Sequence, residues 1–209
     1  MQTTGRVYGG RSEAERRADR RERLLAAGLN LFGTEGWSGT SIERLCTAAG
    51  VATRSFYEEY ASREQLLLAV YDEVLAGAAQ RVLHAVEAAG ADETTRTRAG
   101  VEAYVGHLTD DPRRAQVVNR EVRAAGGLPE VTAHRNASLH RFSELIALEV
   151  RSRRSDQDPD ERRVLALALT GAVNEVLSDW VSTPPPRPPT EPIVRELTRL
   201  YVAALGTGA

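Results

Sequence analysis

The hydrophobic positions of this chain recur every three to four residues, which is the period of an amphipathic α-helix. No segment keeps the two-residue alternation of a strand, and aromatic residues make up only 5% of the chain. In the first half, Ser12, Thr40 and Ser62 each stand three residues before Glu or Gln, which is the spacing of a capping box at a helix start. The pattern predicts an all-α protein.

Proline replaces the capping box as the helix-start signal in the second half. Pro112, Pro129 and Pro159 each precede a helical run, and proline suits the first helical position because its missing N–H costs nothing there. The stretch TPPPRPP at 183–189 cannot be helical and forms a stiff spacer. About nine helices are predicted, over residues 13 to 33 or 36, 42–49, 53–58, 63–90, 93–109, 112–125, 129–153, 159–182 and 191–205.

The segment from Gly36 to Leu68 carries the most informative pattern. A short capped helix, a tight turn at Gly50 and a second short helix make a helix-turn-helix. Hydroxyl and guanidinium groups, which bind phosphates and base edges, cluster near the start of the second helix at Thr53, Arg54, Ser55 and Tyr57. The same pattern also fits a purely structural helical hairpin.

This segment closely resembles the DNA-binding domain of the TetR/AcrR family of transcriptional repressors. The resemblance covers about fifty residues without a gap. It rests on a glycine, a hydroxyl-bearing helix start, an Ala-Gly-Val turn, two aromatic positions and a Ser-Arg-Glu helix start. These stand here as Gly36, Thr40-Ser41-Ile42, Ala49-Gly50-Val51, Phe56-Tyr57, Tyr60 and Ser62-Arg63-Glu64.

The resemblance implies a three-helix DNA-binding domain at 13–61, a helical ligand-binding and dimerisation domain at 62–209, and a flexible basic arm at 1–12. It implies a repressor that binds a palindromic operator as a homodimer and is released by a small molecule. Positions that match base-reading residues are Thr53, Arg54 and Ser55. Positions that match phosphate-binding residues are Thr40, Tyr57 and Arg63, and Ser41 is placed on the same DNA-binding surface.

Three departures from the family pattern bear on DNA binding. Ala52 replaces the usual Ser or Thr before the recognition helix and removes a side-chain cap. Glu58 and Glu59 bring two negative charges near the expected phosphate surface. Cys46 stands where a branched aliphatic residue is common and is interpreted as a small buried hydrophobe.

The C-terminal half offers candidates for a dimer interface and a ligand pocket. Residues 164–181 are apolar almost all round and the last helix has its own apolar stripe, so both are assigned to the interface, although they also fit a monomer core. The interface residues are Val164, Leu167, Ala168, Gly171, Ala172, Ile193, Leu197 and Tyr201. Polar or aromatic groups within apolar stretches suit a pocket or an ordinary core, and they are Tyr104, His107, Asn119, Phe142, Asn174 and Trp180.

Composition argues against an enzyme. All 27 basic residues are Arg, so the chain lacks the Lys of a phosphate-binding loop or of a pyridoxal Schiff base. The four His are too far apart for a zinc-binding pair on one helix, and we expect neither metal nor cofactor. The other alternative is a helical dimeric ligand- or partner-binding protein that has lost DNA binding.

Charge and cysteine content complete the sequence-based expectations. Residues 1–63 hold 10 Arg against 8 acidic residues, whereas the whole chain has a net charge of -2, so a basic front end precedes an acidic body. The lone Cys46 and the lack of an apolar N-terminal stretch suggest the cytoplasm. No apolar run approaches the roughly 18 residues of a membrane span.

Overall fold

The computed structural model describes the backbone of residues 12–153 and 158–205, and within these ranges it contains nine helices and no strand. The all-α prediction is confirmed; the basic arm predicted at 1–12 lies, except for Ser12, outside the described residues. The helices are α1 (Glu13–Gly39), α2 (Ile42–Ala49), α3 (Thr53–Glu59), α4 (Arg63–Ala88), α5 (Glu93–Thr109), α6 (112–124), α7 (Pro129–Arg153), α8 (Pro159–Ser182) and α9 (Glu191–Leu205).

The caps explain where the first helices begin. Ser12 and Glu15 form the reciprocal capping box, with Glu15 N–H donating to Ser12 Oγ at 3.1 Å. The second helix start differs from the prediction, because Ser41 and not Thr40 accepts from a backbone N–H of α2. Three residues after Ser41 stands Arg44, so α2 begins with a simple serine cap and not with a capping box. Ser62 caps α4.

Two helices depart from regular geometry. Gly36 has a φ of 77°, so α1 breaks there, and Trp37 begins a further turn. Within α6, Val117–Glu121 winds as a π-helix between two α-helical ends. A π-bulge commonly marks a functional position in a helix.

The chain packs as an N-terminal head and a larger helical body. In the body α4 packs on α5, α7 packs on α8, and α9 packs on α5. In the head α2 packs on α1 and α3. One continuous core of buried side chains joins the two parts, and it includes Phe32 from α1, Leu66 from α4 and Val117 from α6.

Helix α1 approaches α6 so closely that only glycine fits at position 33. A Cβ atom added to Gly33 would lie 2.5 Å from Cβ and 2.9 Å from Cα of Arg113. Arg113 also donates a hydrogen bond to Asn30 Oδ1 at 3.1 Å. Head and body therefore meet along α6 as well as along the long helix α4.

The expectation that no apolar run approaches the length of a membrane span is wrong for α8. Among the described helices, α8 alone is long and apolar enough, by length and composition, to cross a membrane. Its buried residues include Leu169, Val173 and Leu177, which pack inside the protein. Core helices of soluble proteins satisfy the same criterion.

Replacing Gly33 tests the contact between α1 and α6. Gly33→Ala is expected to lower the free energy of unfolding by about 1–3 kcal/mol, because the added methyl group overlaps Arg113. The control is Gly127→Ala, where no atom lies within 4 Å of the new Cβ and the change should stay below about 0.5 kcal/mol. Urea unfolding measures both, and equal values would contradict the close packing.

Candidate DNA-binding surface

The turn between α2 and α3 has the geometry that the glycine pattern predicts. Gly50 adopts a φ of 63°, which is the left-handed region that favours glycine. The N–H groups of Gly50 and Val51 donate back to the carbonyls of Thr47 and Cys46 and close the end of α2. The two short helices therefore form a helix-turn-helix with a fixed corner.

An arginine from α1 holds this corner from behind. Nη1 of Arg23 donates to the carbonyl oxygens of Ala49 and Gly50 at 3.0 and 3.1 Å. These carbonyls lie at the C-terminal end of α2, where backbone oxygens lack helical partners and a cation is favourable. Helix α1 thus fixes the turn through its charged side chains as well as through its apolar face.

Glu59 attaches the recognition helix α3 to α1. Its carboxylate accepts from Nε of Arg17 and Nη2 of Arg20, both at 3.0 Å, and its side chain is only 1% exposed. Burial raises the pKa of the Glu59 carboxyl, but hydrogen bonds from the two arginines outweigh this and leave the pKa below its ordinary value of 4.5. Glu59 therefore faces α1, away from the surface expected to meet DNA.

Apolar contacts hold the inner side of α3. Phe56 is fully buried, with its ring 5.5 Å from Tyr57 and 6.0 Å from Tyr60 between centroids. Cys46 of α2 is buried as well, and burial raises the pKa of its thiol. A buried thiol with a raised pKa is unreactive, which fits the interpretation of Cys46 as a packing residue.

The outer side of α3 presents the residues singled out in the sequence. Thr53 and Arg54 are exposed, Tyr57 is 54% exposed, and Ser55 is half-buried. The Arg54 side chain is 92% exposed, and its ion pair with Glu58, at 3.5 Å, is long and open to solvent. Such a pair is weak, so the guanidinium can leave Glu58 and contact a nucleic acid in its place.

Two proposed phosphate-binding residues, Thr40 and Arg63, make internal contacts instead. Thr40 is 1% exposed, and its hydroxyl donates to the carbonyl of Gly36 at 2.8 Å. Arg63 stacks 3.7 Å above the ring of Trp37 and donates to the carbonyls of Trp37 and Thr40. The side chains of both residues hold the corner between α1, α2 and α4, and their contact with phosphates stays a prediction.

The head depends on residues that the sequence analysis did not identify. The arginines of α1 at 17, 20 and 23 were interpreted only as basic charge, although their three-residue spacing places them on one helix face. Glu121 of α6 accepts a hydrogen bond from the N–H of Trp37. No local pattern reveals that contact, since 84 residues separate the partners.

The body contains a small cavity of about 20 Å³, enough for about one water molecule. Four of the six proposed pocket residues lie in its wall, namely Tyr104, Asn119, Phe142 and Asn174. The rings of Tyr104 and Phe142 lie 5.3 Å apart. Additional polar groups come from residues that sequence reasoning missed, and these include Tyr71, Arg123, Arg135 and Ser138.

The other two proposed pocket residues, His107 and Trp180, lie outside this wall. His107 packs across α4, where its ring would be 2.8 Å from a Cβ added to Gly77. Trp180 donates from Nε1 to the carbonyl of Pro188 at 2.9 Å, and Arg187 stacks 5.3 Å from its ring. Both pack within the chain, His107 between helices and Trp180 against the proline spacer, and their part in a ligand site stays a prediction.

The proposed dimer residues divide between two environments. Val164 and Leu167 are 57% and 41% exposed, and Ala168 and Gly171 are exposed beside them, with half-buried Ala172 continuing the same face of α8. On α9, in contrast, Ile193, Leu197 and Tyr201 belong to or pack against the chain's own core. The Tyr201 hydroxyl donates to the carbonyl of Leu169 at 3.0 Å. These three side chains therefore make contacts within the chain, and their part in a dimer interface stays a prediction.

Comparison with known proteins agrees with this geometry. Residues 24–70 match the family model of bacterial regulatory proteins of the tetR family. The chain is 24% identical to the HTH-type transcriptional regulator EthR of Mycolicibacterium smegmatis over 200 residues, covering 94% of this chain and 91% of that one. It is 23% identical over 183 residues to the HTH-type transcriptional activator FasR of the same organism, covering 87% and 82%.

A solved structure extends the similarity to the fold of almost the whole chain. The fatty acid degradation regulator FadR from Bacillus halodurans superposes with a TM-score of 0.71 at 17% identity. The superposition covers 90% of this chain and 95% of that one. Both the head and the helical body are therefore shared with a known architecture.

The neighbours Glu58 and Glu59 provide a matched test of the attachment between α1 and α3. At pH 7, Glu59→Gln is expected to lower the free energy of unfolding by about 1–2 kcal/mol, because two charge-assisted hydrogen bonds weaken. Glu58→Gln should cost less than about 0.5 kcal/mol, since its ion pairs are long and exposed. Urea unfolding measures both, and equal losses would contradict the buried role of Glu59.

The pH dependence of the Glu59 effect has a defined sign. Because the folded-state pKa of Glu59 is depressed, its stabilisation is complete above the ordinary value of 4.5 and is lost as the pH falls through the lower folded-state value. The difference between the wild-type chain and Glu59→Gln should therefore shrink across that window. A difference that stays constant down to the acid limit of folding would contradict the assignment.

Proposed function

We propose that this chain, which belongs to the TetR family of DNA-binding transcriptional regulators, acts as a homodimeric repressor that leaves its operator when a small molecule enters the body. Members of this family are regulators and not enzymes. The observation that carries the proposal is the exposure of Arg54 and Tyr57 on the outer side of α3. Glu59 attaches this helix to α1, and Arg23 holds the turn before it.

The DNA contacts follow from this surface. We assign the head to residues 13–61, which read DNA, and the body to 62–209. Thr53, Arg54 and Ser55 contact base edges in the major groove, where a guanidinium grips guanine O6 and N7. Tyr57 and Ser41 donate to phosphates and set the register of the head.

Dimerisation buries the exposed apolar face of α8. Val164, Leu167, Ala168 and Gly171 recur at helical spacing on this face, and Leu145 and Leu148 of the adjacent helix α7 are 59% and 52% exposed. A self-complementary patch of this kind favours a two-fold dimer. The two recognition helices then meet successive major grooves about 34–36 Å apart.

The effector site is the cavity between α4, α5, α6, α7 and α8. Its aromatic rings suit the apolar part of a ligand. Asn119, Asn174 and the guanidinium groups of Arg123 and Arg135 suit a polar or anionic group on that ligand. At about 20 Å³ the cavity must open to admit a ligand. Release of DNA requires tighter ligand binding to the DNA-free state, and a coupling of about 1–3 kcal/mol is typical.

Repression requires only that the protein, bound to its operator, blocks the promoter. A protein that binds DNA must also have access to it, so we place this protein in the cytoplasm. The named relative FasR is an activator, so an operator placed over or upstream of a reporter promoter separates the two modes. Lower reporter output in the presence of the protein supports repression.

The dimer is tested by its mass in solution. Light scattering at micromolar concentration is expected to give about twice the 22.8 kDa of one chain. Leu167→Glu should produce a folded monomer, because it places a charge in the apolar interface. Leu83→Glu is the control, since Leu83 is 60% exposed on α4, and it should remain dimeric. A monomeric wild-type chain would overturn the proposal.

Arg54 and Tyr57 are expected to act differently on DNA. Arg54→Ala should lose about 1–3 kcal/mol of discrimination at one base position, because it removes a bidentate base contact. Tyr57→Phe should lose roughly 1 kcal/mol equally on operator and random DNA, because it removes one phosphate hydrogen bond. Anisotropy titrations with single-base variants of a selected duplex measure both. Uniform loss for Arg54→Ala, or altered base preference for Tyr57→Phe, would exchange their roles.

A further inference from the structure

The break in α1 at Gly36 leaves a buried backbone donor without its helical partner. Because Gly36 has non-helical torsion angles, the N–H of Trp37 cannot continue the hydrogen-bond pattern of the preceding turns. Trp37 is only 9% exposed, so solvent does not replace the lost acceptor. A buried N–H of this kind requires a partner from elsewhere in the fold.

Glu121 of the body supplies that partner. Its Oε2 accepts from the N–H of Trp37 at 2.6 Å, and its Oε1 accepts from Nε2 of Gln116 at 2.6 Å. Glu121 is 6% exposed. The carboxylate therefore acts as an N-terminal cap contributed by a distant helix, and a negative charge is favourable at that end of a helical turn.

The capped turn leads directly to the helix-turn-helix. The ring of Trp37 lies under the guanidinium of Arg63, at the start of α4. Arg63 donates in turn to the carbonyls of Trp37 and Thr40, immediately before α2. Glu121, Trp37 and Arg63 thus form a continuous polar path from the body to the first helix of the motif.

The other end of this path reaches the cavity. Glu121 closes the π-helical segment Val117–Glu121, and two residues of that segment, Val118 and Asn119, line the cavity wall. A displacement of the segment by a ligand moves the carboxylate that caps Trp37. The cavity and the DNA-binding head therefore share one short, irregular segment.

We propose that Glu121 is a positioning residue for DNA recognition, whose carboxylate holds the Gly36–Trp37 turn and thereby sets the helix-turn-helix against the body. The inference rests on the proposed function and names the contact through which the body controls the head.

Two substitutions of similar size separate the hydrogen bond from packing. Glu121→Met removes every acceptor and leaves the N–H of Trp37 unpaired. Glu121→Gln keeps one oxygen for Trp37, and the amide of Gln116 can turn to accept from the new NH₂ group. Glu121→Asp, which keeps the charge but withdraws the carboxylate by one methylene group, is a third variant. Glu102→Met, on the exposed side of α5, is the control.

The measurements are operator affinity and the emission of Trp37. The operator is a duplex selected from a random DNA pool by the wild-type protein. The chain has two tryptophans. All variants, and the parent protein with which they are compared, carry Trp180→Phe, so that Trp37 alone emits. Glu121→Met and Glu121→Asp should weaken operator binding at least ~10-fold and shift the Trp37 emission to longer wavelength. For Glu121→Gln and Glu102→Met, the operator affinity should stay within about 3-fold of the parent's affinity.

Each contrary result has a distinct meaning. If Glu121→Met folds and keeps the parent's operator affinity and Trp37 emission, the proposal is overturned. Equal losses for Met and Gln also overturn it, because packing or charge would then explain the effect. If neither Met nor Asp folds while Gln does, Glu121 acts in stability alone and the proposal again fails. A wild-type protein that selects no duplex contradicts the proposed function instead.

Discussion

The buried N–H of Trp37 is the constraint around which the two parts of the molecule are arranged. The turn at Gly36 redirects the chain from α1 into the helix-turn-helix, and this leaves the Trp37 donor unpaired within its own helix. The Glu121 carboxylate resolves this by reaching out of α6. Helix α6 also packs against Gly33 so closely that no side chain fits there. The head therefore has little freedom to rotate on the body without breaking the hydrogen bond between Trp37 and Glu121.

Arginine side chains fix the positions of the short helices in the head. The three arginines at 17, 20 and 23 engage Glu59 and the carbonyls at the end of α2, while Arg63 covers Trp37. Their planar groups donate in several directions at once, which suits the fixing of short helices. Arg54 differs from these four arginines, because its side chain projects almost wholly into solvent. It is therefore the one of the five that is free to contact DNA.

Local signals in the sequence predicted the helices well and predicted long-range contacts poorly. Caps such as Ser62 and prolines such as Pro159 act within one turn, so they mark helix starts reliably. The apolar stripe of α9 could not reveal its partner, because an inward face and a dimer face have the same periodicity. Likewise, nothing local distinguishes Glu121 from an exposed glutamate, and four cavity residues were found only because aromatic and amide groups stand out in apolar helices.

The exchange rate of the Trp37 amide hydrogen tests this account most directly. If Glu121 caps the turn, the amide is expected to exchange slowly in the wild-type protein and far faster in the Glu121→Met form, while amides in the body core stay protected in both. Exchange of the wild-type Trp37 amide at the rate of an unprotected peptide group would show that the bond between head and body is not maintained in solution, and would contradict the account.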